Sequence, residues 1–269
     1  MARTRRPLTA PEQNGRGWTW AALGALCGLS LGLALFAPAR WAAAVVNRAT
    51  EGRVLLQAPR GTVWDGSAQL VLTGGPGSRD AATLPTRLEW QMQLRPDAVL
   101  LRLSSECCTP APLQLRLQPR WQGGAVAVAD GQPSRWPAAL LAGLGTPWNT
   151  LQLEGELQLA TRALAIAWTE GRVQVAGQAE LSAVHIASRL TTLRPMGSYQ
   201  LRVAGGSTPS LQLQTLEGPL QITGSGQWVG ARLRFTGEAS AAPEREAALS
   251  NLLNIIGRRS GARSLITIG

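Results

Sequence analysis

Two periodicities divide the chain. Gly17 to Ala39 carry no charged side chain, whereas after Val46 apolar and polar residues alternate one by one. As a helix rising about 1.5 Å per residue, the uncharged run would extend roughly 34 Å, enough to cross a bilayer. Nothing on it is polar enough to form a solvent face, so a buried soluble helix does not fit. Trp18 and Trp20 stand at its start, where indoles favour the membrane interface, and Arg40 and Trp41 close it. Ala37-Pro38-Ala39 loosely resembles a signal cleavage site. The apolar stretch is nevertheless longer than a signal's hydrophobic region, and a proline inside the site is unfavourable, so the pattern predicts a retained anchor.

Beyond Val46 the period is two. Leu88, Trp90, Met92 and Leu94 alternate with Arg87, Glu89, Gln91, Gln93 and Arg95. Leu113, Leu115 and Leu117 alternate with Gln114, Arg116 and Gln118. The pattern returns at Leu151/Leu153, Leu157/Leu159, Leu164/Ile166/Trp168, Leu211/Leu213 and Leu233/Phe235. Each run places apolar side chains on one strand face and polar ones on the other, as in a sheet wet on one side. Gly74-Gly75-Pro76-Gly77, Gly123-Gly124, Asp130-Gly131 and Gly205-Gly206 separate the runs at short spacing, favouring antiparallel meanders over βαβ units. About a dozen strands are expected.

Two helical patches interrupt them. One is short, around Arg135–Leu144; the other runs from about Pro243 to Ile256. In the second, Pro243 and the acids Glu244 and Glu246 mark the start. Leu249, Leu252, Leu253 and Ile256 fall at i, i+3, i+4 and i+7, and Gly257 is a stop signal. The fold class is therefore mainly β, with one N-terminal transmembrane helix and a C-terminal amphipathic helix. The expected division is a basic tail over 1–17, a span over 18–40 and a β-rich domain over 41–269.

Charge refines the topology. All 26 cations are Arg, so a P-loop lysine, a Schiff-base lysine and a Ser–Lys dyad are ruled out. Arg3, Arg5, Arg6 and Arg16 precede the apolar run and none lies within it, which places the N-terminus in the cytoplasm. After the span the arginines stand singly among apolar residues, without the clustering that nucleic-acid binding needs.

Candidate chemistry is sparse. His185 is the lone histidine and has no Cys at metal-ligand spacing, which points to a strand position rather than a zinc site. There is no Gly-x-Ser-x-Gly elbow. Glu154 and Glu156 would share one strand face, expected to be wet. No cofactor, metal site or catalytic group is expected, and no enzyme. Cys27 lies within the span. Cys107 and Cys108 are adjacent, and three states stay open for them: a vicinal disulfide, two thiols, or a bridge to another chain.

The segment Ala58-Pro59-Arg60-Gly61-Thr62-Val63-Trp64-Asp65-Gly66 arrives soon after the anchor. With Leu88–Trp90 and Leu216–Trp228, it resembles the type II secretion system protein N family over nearly the whole chain. The resemblance implies an accessory subunit of the cell inner membrane, with its C-terminal domain in the periplasm. Such a subunit supports export of folded periplasmic proteins across the outer membrane, and its partners are other inner-membrane and periplasmic secretion subunits. It further implies kinship with AsmA-like proteins, and hence an elongated, bent sheet with an apolar groove; lipid handling is the alternative function. Gly61, Trp64 and Gly66 are expected to be structural, the glycines permitting a tight turn and Trp64 anchoring a core.

Overall fold

The computed structural model describes residues 15–170, 172–230 and 232–269, with side chains from residue 18 onward. Arg3, Arg5 and Arg6, on which the cytoplasmic-tail expectation rests, lie outside the described residues, as does the side chain of Arg16. The chain divides into two compact units after Ala37.

The first unit carries α1 (Gly15–Leu35), a helix long and apolar enough to cross a membrane, with none of its Trp18–Leu35 stretch buried. It ends at Leu35 rather than continuing to Ala39. Pro38 accounts for the stop, because a proline disfavours helical backbone in the residue before it and has no N–H to donate.

The second unit opens with α2 (Ala39–Ala49), for which Pro38 is the flanking extended residue. Its N-terminal half continues in β1 (Val54–Gly61), β2 (Asp65–Thr73), β3 (Ala81–Thr83), β4 (Leu88–Arg95), β5 (Ala98–Ser104), β6 (Leu113–Arg120), β7 (Gly123–Val128) and β8 (Ser134–Pro137). A 3-10 turn over Ala138–Leu144 and α3 (Trp148–Leu151) intervene. The strands resume with β9 (Leu153–Thr169), β10 (Arg172–Ser188), β11 (Gly197–Gly206), β12 (Ser210–Glu217), β13 (Leu220–Val229) and β14 (Arg232–Ala241). After α4 (Glu246–Ile256) come β15 (Arg258–Ser260) and β16 (Arg263–Ile268). The described strands number 16, not about a dozen, and the Arg135–Leu144 patch begins in a strand: Arg135–Pro137 belong to β8, and Ala138–Leu144 form the 3-10 turn.

All strands join one antiparallel sheet in the order β1-β2-β4-β5-β6-β7-β9-β10-β11-β12-β13-β14-β16-β15, with β3 on β2 and β8 on β9. Register explains the alternation. Leu159, Leu181, Leu201 and Leu213 form one row across β9 to β12, while Gln158, Ser182, Gln200 and Gln214 run beside it on the other face. The strands β9 and β10 are each 17 residues long and are bulged twice. Ala163 and Leu164 oppose Gly177 alone, and His185 and Ile186 oppose Gly155 alone. Ala163 and His185 take the left-handed backbone (φ 49° and 50°) that such an extra residue needs.

The largest buried cluster lies under α4, where Leu249, Leu252 and Leu253 are fully buried against Leu157, Ile186, Tyr199 and Leu220. Each such leucine contributes about 1.5–3 kcal/mol relative to exposure, so the i, i+3, i+4 stripe holds the helix on the sheet. A second cluster joins Ala39 of α2 to Ala68 and Trp90, and a third joins Leu84, Cys108 and Leu140.

Candidate functional site

The Gly61–Gly66 segment is the turn between β1 and β2. Gly61 adopts φ +83°, which L side chains resist. Thr62 N–H donates to the Asp65 carbonyl (2.8 Å), and Asp65 N–H donates back to Thr62 Oγ1 (3.1 Å). These bonds satisfy the tip locally. The tip is then fastened to β4: Trp90 Nε1–H donates to the Val63 carbonyl at 3.0 Å, and Met92 N–H donates to the Trp64 carbonyl at 2.6 Å. Arg87 donates to the carbonyls of Ala58 (2.8 Å) and Ser67 (3.0 Å), holding the irregular stretch of β1 around Ala58 and Pro59. Thr62 also forms a β-bridge with Pro38, tying the turn to the start of α2.

The large aromatic in this core is Trp90, 3% exposed, and not Trp64, which is half-buried at the turn tip. Period-two patterning reports which face a residue takes but not how deep it lies, and a residue at a turn tip leaves the sheet plane before the core begins. Trp90 and Arg87 are the two residues whose part in the turn the motif alone did not reveal. Their signal was present in the β4 alternation.

Glycine facing an aromatic in register is a recurring device of this sheet. Gly66 pairs with Trp90, Gly124 with Trp168 and Gly226 with Phe235. A β-carbon at Gly66 or Gly124 would stand 2.6 Å from the Cζ2 of its partner. Gly66 and Gly124 leave room for the ring of the residue each pairs with, whereas the Phe235 ring lies over Gly224 rather than Gly226; the ring supplies the packing that glycine lacks. The rings in these pairs are Trp90, Trp168 and Phe235, whereas Trp228 pairs with Leu233.

Cys107 and Cys108 sit in a turn after β5 and are joined to each other. Cys108 is buried in the Leu84–Leu140 cluster, whereas Cys107 is exposed. Its surroundings are knit by Cys108 N–H to the Ser105 carbonyl (2.9 Å), Arg135 N–H to the Cys108 carbonyl (2.7 Å) and Cys107 N–H to Thr86 Oγ1 (3.2 Å). Cys27 is an unbonded, exposed cysteine of α1.

Among the described residues, Glu154, Glu156 and His185 each take part in surface pairs. Glu154 accepts from Arg194 (2.8 Å) and Arg189 (3.4 Å), and the hydrogen bond from Arg189, followed by the Arg194 charge, holds its carboxyl below the usual range. Glu156 instead accepts from Gln158 at 2.6 Å. His185 lies at the β10 bulge with its Nε2 4.0 Å from Glu217 Oε1, both side chains exposed. Burial alone pushes the Tyr199 phenol well above its ordinary pKa; its hydroxyl reaches the carbonyls of Leu220 (3.2 Å) and Met196 (3.4 Å). Among the described residues, no group of three or more His, Cys, Asp or Glu could hold a metal ion.

The apolar face is covered unevenly. The 3-10 turn and α4 cover it at one end of β9–β14. Further along lies a cavity of about 270 Å³ lined by Leu103, Leu113, Leu115, Leu159 and Leu164 together with residues 129–132. At the far end Ile166, Trp168 and Val173 are exposed.

Comparison with known proteins places this arrangement. The chain matches the family described as Type II secretion system (T2SS), protein N, over residues 52–265, from just before β1 into β16. No curated protein and no solved structure matches it. The matched region is the sheet itself, including the Gly61–Gly66 turn, Trp90 and α4, and the family is one of secretion-system components rather than enzymes. On that match, which covers most of its length, the chain belongs to the type II secretion system protein N family.

Proposed function

We propose that this protein is an accessory subunit of the type II secretion system, held by α1 in the cell inner membrane with its N-terminus cytoplasmic and its sheet in the periplasm. There it supports export of folded periplasmic proteins across the outer membrane, through contacts with other secretion subunits and without catalysis. The observation that carries this reading is the family match across the whole sheet. The uncharged Trp18–Leu35 stretch, none of which is buried, supports the anchor. Deleting the gene should leave secretion-system substrates folded but retained in the periplasm, and restoring the full chain should release them. Undiminished secretion in the deletion strain would overturn the reading. A periplasm-dependent reporter fused after Gly269 should be active; an N-terminus of the mature protein near residue 40 would remove the anchor from the proposal.

Lipid handling is the second reading, in keeping with an AsmA-like sheet, and the leucine-lined cavity bordered by residues 129–132 favours it. Phospholipid carried through purification of the full chain and lost on Leu115→Arg, with secretion impaired to match, would support this reading over a purely structural one.

A further inference from the structure

The outer face of α2 is the surface that the core does not explain. Its inner face, Ala39, Ala42, Ala43 and Val46 at i, i+3, i+4 and i+7, is buried or half-buried, and Ala39 and Ala42 pack with Ala68 and Trp90. The opposite face shows Trp41 47% exposed and Val45 64% exposed, between Arg40 and Arg48. No acidic residue lies in the helix; the first, Glu51, follows its end. A solvated face would not need an indole and a valine there, and a core face would not carry two arginines.

Chain connectivity says what meets this face. Only Phe36, Ala37 and Pro38 separate the end of α1 from the start of α2. Three residues reach at most about 10 Å, so if α1 spans a bilayer, α2 begins within the thickness of its headgroup layer. A short helix with tryptophan and valine flanked by arginines fits that layer: the apolar groups enter the acyl boundary and the guanidinium groups meet phosphate.

We infer that α2 is an interfacial helix, clamped between the sheet and the membrane surface, whose Trp41–Val45 face enters the bilayer and whose Arg40 and Arg48 bind anionic lipid headgroups. The inference rests on α1 spanning the membrane. Through the Pro38–Thr62 bridge and the Ala39–Trp90 packing, it gives the Gly61–Gly66 turn a place beside the membrane exit.

The test uses the full chain in nanodiscs containing anionic phospholipid, with Cys107→Ser and Cys108→Ser to limit labelling to chosen sites. Spin labels are placed at the native Cys27, at Val45→Cys and at Thr208→Cys, the latter two with Cys27→Ser. Thr208 is an exposed loop residue. Collisions with oxygen and with a water-soluble nickel chelate are then compared. The expected result is a Cys27 label deep in the bilayer and a Val45 label with nickel contact several-fold below that of Thr208 but good oxygen contact. Arg40→Glu with Arg48→Glu, or nanodiscs of zwitterionic lipid alone, should return the Val45 label towards water. A Val45 label as nickel-accessible as Thr208, with Cys27 still deep, overturns the inference and leaves the anchor intact. A Val45 label shielded from both reagents means a protein covers α2, and also overturns it. A Cys27 label in water would instead remove the anchor reading. An unchanged Val45 depth in zwitterionic discs would overturn the anionic-headgroup assignment.

Discussion

Trp90 occupies the space that a side chain at position 66 would need. A β-carbon on Gly66 would lie 2.6 Å from Trp90 Cζ2, 2.7 Å from the Thr62 carbonyl oxygen and 2.8 Å from that of Arg60. Two of those three neighbours are backbone, so no side-chain rotation relieves the contact. Gly66→Ala should therefore destabilise the domain by about 1–3 kcal/mol, the range for overpacking a well-filled site. Denaturant unfolding of the full chain in detergent measures this, and a wild-type midpoint would refute the close approach.

Trp90 and Trp64 should differ. Emptying the Trp90 site removes a 3% exposed indole together with its hydrogen bond to Val63, and Trp90→Ala should cost about 3–5 kcal/mol. Trp64→Ala, at a half-buried tip, should cost clearly less. The same unfolding experiment ranks them, and the reverse order would mean that the turn is seated the other way.

Tyr199 ties β11 to the start of β13. Tyr199→Phe removes a hydroxyl reaching two carbonyls and should cost about 1 kcal/mol. Burial raises the folded-state pKa of the phenol above its unfolded value of about 10. Its contribution is therefore complete below that value and lost as the pH rises beyond it, since only the unfolded chain then ionises. Ultraviolet titration should show no phenolate from this single tyrosine until the domain unfolds. An ordinary titration in the folded protein would contradict its burial.

Glu154 behaves in the opposite sense. Arg189 and Arg194 depress its folded-state pKa, so its stabilising contribution is present above the unfolded carboxylate pKa and fades as the pH falls through the folded one. Glu154→Gln should flatten the acid side of the stability profile and leave the alkaline side unchanged. The contribution is small because the side chains are exposed and screened by salt. An unaltered acid limb would show that the pair does not persist in solution.

For Cys107 and Cys108, protein purified without reductant should offer no alkylatable thiol from this pair, and reduction should add the mass of two hydrogen atoms. With no residue between them, the bridge closes almost no loop in the unfolded chain, so reduction should hardly move Tm. Two thiols reacting before reduction would refute the bond. A dimer that dissolves on reduction would point to a bridge between chains.

Much of this architecture is legible in the alternation of the chain, and the exceptions have physical causes. Leu88 to Leu94 and Leu113 to Leu117 lie in β4 and β6, and the stripe from Leu249 to Ile256 is α4. Leu157/Leu159 and Leu164/Ile166/Trp168, which read as separate runs, belong to one strand. The bulge at Ala163 and Leu164 adds a residue, so the apolar positions change from odd to even without changing face. His185 marks the same change in β10. The helix α2 was hidden because Arg40 and Trp41 read as the end of the apolar run and the alanines that follow carry little pattern of their own. The turn at Gly61 and Gly66 was visible as a motif, but the depth of Trp90 over Trp64 depends on which strand neighbours the turn, and pairing is not written in local spacing.

Strand order in the sheet departs from chain order only at β3 and β8, which lie off the path, and at β15, which comes after β16. Each strand from β1 to β14 otherwise docks on the one made just before it, the longest interruption being the segment between β7 and β9. The entropy of closing a loop grows with its length, so short connections keep each successive pairing inexpensive. On the proposed anchoring by α1, a chain emerging from that end can thus lay down its sheet in the order of emergence, every new edge serving as the template for the next strand. The Leu249–Leu253 stripe arrives after twelve of the fourteen path strands have been made, and it covers apolar surface of the sheet that would otherwise stay wet.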